Sequence, residues 1–406
     1  MPEKLVLAYS GGLDTSVAIR WLKEERDYGV IAFTADVGIE KDREAIQSRA
    51  EAAGAAGFVW RDARHEFVRH FIFPALRAGA VYQGRYPLAT ALSRPLIAKL
   101  LVEVARRQGA TAVAHGCTGK GNDQVRFDVS VQALAPDLRI VAPVREWDMG
   151  RDDEVAYAQR HQIPVPVTRE SLYSTDENLW GRSIECGVLE DPWQEPPEEV
   201  FAWTKPVAEA PDQPLYVEIT FEGGAPVALD GEEMDGVALI HRLNVMAGEH
   251  GVGRIDHLED RLVGIKSREV YEAPAALTLL AAHQALEHMT LAKDQLRLKA
   301  RIAQEYAELV YNGLWFTPHH QDLMAYVQST QRFVSGTARV RLHKGQATVV
   351  GRKSPKSLYD FSLATYERGD QFDQKAAPGF IHIWGLPVRT QAQAQPLSAE
   401  ETPQGQ

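Results

Sequence analysis

Between residues 8 and 16 the chain reads Ala8-Tyr9-Ser10-Gly11-Gly12-Leu13-Asp14-Thr15-Ser16. The two glycines let the backbone approach a ligand closely. Ser10, Thr15 and Ser16 add hydroxyls beside a helix N-terminus, where unpaired amides favour a phosphate. The spacing fits neither G-x-x-x-x-G-K-[ST] nor G-x-G-x-x-G, so neither a P-loop kinase nor a dinucleotide enzyme is indicated. The same residues also suit an ordinary strand-turn-helix junction with Ser and Asp as caps. A second cluster is His115-Gly116-Cys117-Thr118-Gly119-Lys120-Gly121-Asn122-Asp123-Gln124-Val125-Arg126-Phe127. It offers a hydroxyl, an ammonium, an amide, a carboxylate and a guanidinium, a set suited to the charged ends of an amino acid. Arg126 can clamp a carboxylate with two parallel hydrogen bonds, and Asp123 can accept from an ammonium. The plainer reading is a solvated glycine loop capped by Asn122 or Asp123.

These clusters need a frame. Apolar β-rich runs at 4–9, 30–35, 57–60, 112–115 and 139–142 alternate with amphipathic stretches at 15–25, 42–53, 64–76, 95–108 and 151–161. That is the pattern of a parallel sheet with helices on both faces, an α/β doubly wound domain. Both clusters follow a strand, at the carboxyl edge where open sheets bind ligands. Pro164 and Pro166 close the region, and 168–191 reads as long ordered loops. Prolines at 192, 196, 197, 206, 211 and 214 point to an extended connection. Hairpins are expected around Gly223-Gly224 and Lys344-Gly345, with a long helix over 274–309, broken at most once, between them. Strands and helices without βα alternation make this part α+β. The expected domains are 1–166, nucleotide-binding, and 167–386, for substrate binding and oligomerisation. Residues 387–406, rich in Gln, Ala, Pro and Glu, are expected to be a disordered tail.

Composition narrows the partners. The 406 residues carry 44 Lys and Arg against 55 Asp and Glu, a net charge of −11, which argues against a nucleic-acid footprint. Cys117 and Cys186 form no disulfide framework and no zinc pattern, and a reducing, cytoplasmic setting fits. Cys117 has no nucleophilic partner in sight. His241, His319 and His320 lack metal-ligand spacing, so no structural metal is expected. The apolar run at 5–8 is too short for a secretory leader, and the one at 273–282 is too short to span a bilayer, so no membrane partner is expected.

Ser-Gly-Gly-x-Asp-Thr-Ser at 10–16 resembles the PP-loop of ATP pyrophosphatases, which cleave ATP to AMP and pyrophosphate. The cluster at 115–127 narrows the resemblance. Together with Gly251-Val252-Gly253-Arg254-Ile255-Asp256 and Gly264-Ile265-Lys266-Ser267-Arg268, it is similar to the argininosuccinate synthase family, in the same order and over residues 5–386. The resemblance implies an AMP-forming carbon–nitrogen ligase of arginine biosynthesis that joins citrulline to aspartate through a citrullyl-adenylate, uses ATP with Mg²⁺, and assembles as a homotetramer. It implies ATP contacts at Ala8, Tyr9, Ser10, Gly11, Gly12, Leu13, Asp14, Thr15, Ser16, Ala35 and Gly116. Citrulline contacts are implied at Tyr86, Asn122, Arg126, Ser174, Ser183, Glu259 and Tyr271, and aspartate contacts at Thr118, Asn122 and Asp123. Asp14, Asp123 and Arg126 are the implied catalytic groups, and the site is expected between the domains. One departure stands out. Where the family often has Gly-Thr-Ser, this chain has Ala89-Thr90-Ala91, so a serine contact at 91 is lost and a backbone group, Thr90 or Ser93 is left to replace it. Another PP-loop enzyme, or a non-catalytic nucleotide-binding module, would share the first motif. The acidic balance and the absence of CxxC argue against a tRNA-modifying enzyme.

Overall fold

Leu5, Val6 and Leu7 are all fully buried, which requires a strand covered on both faces. A computed structural model of the chain, describing residues 2–38, 42–164 and 173–396, shows how this is met. The first part runs β1 (Glu3–Ala8), α1 (Leu13–Arg26), β2 (Tyr28–Asp36), α2 (Arg43–Ala52), β3 (Gly57–Asp62), α3 (Arg64–Phe67), α4 (Phe73–Ala78), α5 (Ala89–Gln108), β4 (Ala112–Ala114), α6 (Asp123–Leu134), β5 (Arg139–Val141), α7 (Pro143–Glu146) and α8 (Arg151–Arg160). The five strands are parallel, in the order β3-β2-β1-β4-β5. Leu5 and Leu7 pack with Val17, Ile19 and Leu22 of α1 and Ala158 of α8. Val6 turns to the other face, with Phe33 and with Leu92 and Leu96 of α5. The sheet is therefore doubly wound. Its order reverses between β1 and β4, so the loops after these strands share one crevice.

Three expectations are corrected here. The helix expected at 64–76 is divided by a π turn, Val68–Ile72. The helix expected from 95 starts at Ala89 and carries Pro95 inside it; proline usually marks a helix start, which misplaced the boundary. The cluster at 115–127, which reads as a glycine loop, passes from Asp123 into α6, a helix not expected, that runs to Leu134. Its buried face includes Gln124, Arg126 and Ser130, so no apolar period announces it.

The chain continues with β6 (Ser174–Asn178), β7 (Gly181–Glu185), β8 (Leu215–Glu222), β9 (Ala225–Leu229), β10 (Glu232–Glu233), α9 (Gly236–Glu249), β11 (Arg254–Asp260), β12 (Lys266–Glu272), α10 (Pro274–Thr290), α11 (Lys293–Tyr311), α12 (Pro318–Gln331), β13 (Gly336–His343) and β14 (Gln346–Lys353). Two antiparallel sheets result, β10-β9-β8-β13-β14 and β11-β12-β7-β6. Both expected hairpins are present, and their turns take the positive φ that the residues suggest: Gly223 +52° and Gly224 +74°, Lys344 +45° and Gly345 +82°. The long helix breaks once, between α10 and α11. The loops expected over 168–191 are corrected to the β6–β7 hairpin from Ser174 onward. β6 reads Ser-Thr-Asp-Glu-Asn, polar on both faces, and only backbone pairing makes it a strand. Residues 168–172, and the expected boundary at 166, lie outside the described residues.

The chain divides into two compact units, Met1–Lys356 and Ser357–Gln406. The second contains α13 (Phe361–Ala364), α14 (Ala377–Trp384) and α15 (Leu386–Ala394). The tail expected to be disordered from 387 is thus helical as far as Ala394: Pro387 sits in the first turn, and Gln and Ala propagate it. Residues 397–406 lie outside the described residues. No described helix is long and apolar enough to cross a membrane.

Candidate functional site

The loop after β1 is anchored to β2. The Tyr9 amide donates to the Phe33 carbonyl at 2.7 Å, and the Thr34 hydroxyl donates to the Tyr9 carbonyl at 2.8 Å. Ala35 follows at the end of β2. Ser10 Oγ accepts from the Gly12 amide at 3.2 Å and lies 3.0 Å from Thr15 Oγ1, while Tyr9 and Ser16 pair their hydroxyls at 3.0 Å. Gly11 has φ +84°, and Arg49 of α2 donates to its carbonyl at 2.5 Å. Gly12 is the N-cap of α1, with no side-chain cap, so the junction is not one closed by Ser or Asp. The α1 N-terminus is open to an anion. Asp14 hydrogen-bonds Glu154 of α8; burial, then the Asp14 charge, pushes the Glu154 carboxyl up to about 8. Two carboxyl groups at a phosphate-type loop are donor chemistry suited to a hard divalent cation that arrives with its own oxygen ligands. No group of three metal-binding residues occurs among the described residues.

Gly116, in the loop after β4, joins this region to a cavity of about 250 Å³. A Cβ on Gly116 would lie 2.7 Å from Thr15 Cγ2, so only glycine lets the two loops touch. The far wall is the β11-β12-β7-β6 sheet. Asp176, Ser183 and Tyr271 stand side by side in register across β6, β7 and β12. Their neighbours Ile184 and Val270 turn to the opposite face with Leu189 and Val200. The strand period of two thus gives this sheet one polar face toward the cavity. Tyr86, Thr118, Asn122, Asp123, Arg126, Ser174, Ser183, Glu259 and Tyr271 all line it; of the residues that the resemblance places at ATP, Gly116 does. Every one of them belongs to the first compact unit, Met1–Lys356, and they come from both of the sequence spans, 1–166 and 167–386, between which the site is expected.

The charges are interlocked. Asp123 accepts from Arg94 Nε at 2.8 Å and from Arg126 Nη1 at 2.8 Å, and Arg94 also pairs with Asp176. Burial opposes ionisation of Asp123, but the two guanidiniums overcome it and hold the carboxyl below its ordinary value. Arg126 is not the free fork that its sequence context suggests. Its Nη1 is held by Asp123, its Nε donates to the Tyr311 carbonyl at 2.9 Å, and only Nη2 is buried without a partner. One strong donor is left for an anion. Asn122 is also largely used: Nδ2 donates to the Tyr311 hydroxyl and Oδ1 accepts from the Leu262 amide, both at 2.8 Å. Buried Glu259 accepts from the Tyr271 hydroxyl at 2.6 Å and from the Tyr311 hydroxyl at 2.5 Å. Burial, with Glu259 adding to it, raises both phenols and keeps them neutral donors.

Tyr311 is the residue that sequence reasoning missed. It touches Asn122, Arg126 and Glu259, stacks on Tyr82 at 3.6 Å, and lies under the Arg126 guanidinium at 4.8 Å. Arg261 was missed as well. It pairs with Glu185, with Glu269 at 2.6 Å and with Ser267 at 2.7 Å; burial, then the Glu185 charge, pushes Glu269 up to about 8. At the departure noted above, Ala91 is fully buried and Ser93 turns its hydroxyl to the Thr90 carbonyl. Thr90 lines the cavity, its Oγ1 2.6 Å from the Tyr86 hydroxyl, whereas neither Ala91 nor Ser93 is among the lining residues. Burial pushes the Cys117 thiol up to about 12, which removes it as a nucleophile. His115 braces this loop: Nδ1 accepts from the Cys117 amide at 3.2 Å, which leaves Nε2 to donate to Asp128 at 2.7 Å.

Two family models match the chain, "Arginosuccinate synthase N-terminal HUP domain" over residues 4–164 and "Arginosuccinate synthase C-terminal domain" over residues 173–391. A protein of Dehalococcoides mccartyi named argininosuccinate synthase is 59% identical over 401 residues, covering 99% of both chains. The chain belongs to the argininosuccinate synthase family. Relatives of that name from Gloeobacter violaceus, 59% identical, and Symbiobacterium thermophilum, 58% identical, cover 97% and 98% of this chain and 99% of their own. The later argininosuccinate synthase motifs prove to be framework around the cavity. Gly253, with φ +127°, backs so closely on Pro274 that a Cβ would lie 2.7 Å from its nitrogen. Arg254 donates to the Thr204 hydroxyl and carbonyl, at 2.8 and 2.9 Å, and Arg268 grips Asp256 with bonds of 2.9 and 2.6 Å.

Proposed function

We propose that the chain catalyses the ATP-dependent ligation of citrulline and aspartate to argininosuccinate, with release of AMP and pyrophosphate, as an AMP-forming carbon–nitrogen ligase. The observation that carries this reading is the contact at Gly116. A phosphate-type loop and an amino-acid-type cavity meet there with no room for a side chain between them. ATP held by residues 8–16, Ala35 and Gly116 then presents its α-phosphorus to the cavity mouth.

A ureido group is a poor electrophile, because both nitrogens donate into its carbonyl. Its oxygen attacks the α-phosphorus, a citrullyl-adenylate forms, and pyrophosphate leaves toward the α1 N-terminus. Asp14 and Glu154 are the oxygen pair that would hold an Mg²⁺ bound with ATP, and the ion would supply charge neutralisation for the leaving pyrophosphate. The open Nη2 of Arg126 takes the citrulline carboxylate. Glu259, with Ser174, Ser183, Tyr86 and Tyr271 around it, takes the remaining polar groups. Thr118, Asn122 and Asp123 receive aspartate, whose amine displaces AMP from the ureido carbon. Asp123, held ionised by two arginines, binds the ammonium electrostatically and is a poor base; the proton passes to a phosphate oxygen. Rate comes from alignment and fixed charge rather than from a covalent enzyme intermediate.

In this reading residues 1–166 hold the nucleotide and supply Tyr86, Thr118, Asn122, Asp123 and Arg126 to the amino-acid cavity, residues 167–386 complete that cavity, and the chain works as a cytoplasmic homotetramer. A product assay tests it: argininosuccinate and pyrophosphate should appear in equal amounts only when ATP, citrulline and aspartate are all present. ATP binding without pyrophosphate release under those conditions would leave a nucleotide-binding module.

A further inference from the structure

A second cavity, of about 670 Å³, lies between the segment carrying α4 and the face of α12. Arg69, Phe73 and Arg77 project from the π turn and α4 at four-residue spacing. Gln321, Met324, Ala325 and Gln328 answer from one face of α12, at i, i+3, i+4 and i+7. No Asp or Glu is among the described residues that line it. The chain has 55 carboxylate side chains against 44 Lys and Arg, so their absence here runs against its composition. Among the described residues the side chains of Arg69 and Arg77 make no ion pair or hydrogen bond; Arg69 is exposed at the cavity rim, while Arg77 is half-buried with its Nε buried and without a partner. Burial alone lowers the Arg77 pKa, with no acidic neighbour to offset it. A half-buried guanidinium that has lost hydration and gained no counter-charge is costly unless an anion completes it. His320 adds no charge, since burial pushes it down to about 4. Trp315, stacked on Phe71 at 4.6 Å, forms an apolar wall.

We propose that this groove is a second ligand site, separate from the reaction centre, that binds a small multivalent anion between the Arg69 and Arg77 guanidiniums. The planar forks suit phosphoryl and carboxylate oxygens alike, and the volume falls within the roughly 300–1,000 Å³ of ordinary small-molecule sites. The α12 face contributes amide donors and acceptors without opposing charge. The site stands apart from the proposed reaction, since none of its lining residues lines the first cavity.

Equilibrium dialysis of the full chain with radiolabelled pyrophosphate, and in a parallel arm with labelled succinate, tests the proposal and separates the phosphoryl from the dicarboxylate source. Wild type should bind one equivalent of at least one of these anions that the Arg69→Gln/Arg77→Gln double variant loses or binds at least tenfold more weakly. The Arg69→Lys/Arg77→Lys pair, which keeps charge but not the forks, should show intermediate affinity and guards against misfolding as the cause. Gly12→Val, altered in the phosphate loop, should keep this equivalent. If Gly12→Val loses every bound anion while the double Gln variant loses none, the groove is no anion site. If wild type binds neither anion outside the phosphate loop, and the double variant shifts the sedimentation coefficient of the assembly, a carboxylate of a second copy fills the groove and a free ligand is excluded.

Discussion

Tyr311 shows how much rests on a residue that no motif marks. Its hydroxyl accepts from Asn122 and donates to Glu259, while its backbone carbonyl holds Arg126. In the sequence it closes an amphipathic helix and is indistinguishable from a core aromatic; its burial is complete, and only the fold shows its polar end turned to the site. Tyr311→Phe preserves the stack on Tyr82 but leaves buried Glu259 short of a donor, a loss of about 1–3 kcal/mol. Steady-state kinetics should show the citrulline KM raised about tenfold or more, with the ATP KM nearly unchanged; equal shifts in both would mean that Tyr311 only supports folding. Glu154 gives a second residue-level test. Its folded carboxyl is raised to about 8 from an ordinary 4.5. The folded state therefore holds a proton that the unfolded state releases, and stability declines as pH rises from the ordinary carboxyl range through about 8. Asp14→Asn removes one of the groups that raise it, so Glu154 should titrate lower and this decline should shrink. Carboxyl ¹³C NMR and urea unfolding across that range check both, and an unchanged Glu154 titration would dissociate the pair.

Among the elements, the strands of the parallel sheet were legible because burial on both faces leaves continuous apolar runs such as Leu5-Val6-Leu7, and the turn at 8–16 was legible because its glycines and hydroxyls sit between such a run and a helix. What stayed hidden was polar on its packed face. α6 buries Gln124, Arg126 and Ser130, and the site-facing sheet presents Ser174, Asp176, Ser183 and Glu185 on strands with little β propensity. Arg126, Ser174 and Ser183 were named through the family resemblance, Asp176 and Glu185 were not named at all, and the strands β6 and β7 were read as loop. A functional face breaks the hydrophobic period that announces an element. The glycines make the element-level prediction. Gly116→Ala puts a methyl 2.7 Å from Thr15 Cγ2, so the Thr15 side chain in the first turn of α1 must shift, whereas nothing lies within 4 Å of a Cβ on Gly119. ATP affinity, measured by calorimetry, should fall about tenfold or more in Gly116→Ala and stay near wild type in Gly119→Ala. Equal behaviour of the two variants would separate the β4 loop from nucleotide binding.

At the scale of the whole molecule, the helix α14 exposes Phe380, Ile381, Ile383 and Trp384, each more than 60% accessible within the single chain. Such a surface is rare on a monomer and supports the homotetrameric reading. Sedimentation equilibrium of Ile381→Asp/Trp384→Asp should therefore show a smaller assembly than wild type; an unchanged mass would remove α14 from the interface. In the proposed reaction one continuous site activates citrulline before aspartate takes part. ATP labelled with ¹⁸O at the αβ bridge reads this directly, because reversible adenylation scrambles the label into non-bridging positions of the β-phosphate. With citrulline present and aspartate absent, the label should scramble. Scrambling that strictly requires aspartate would contradict a separate adenylate and with it the order of steps drawn from the meeting of loop and cavity at Gly116.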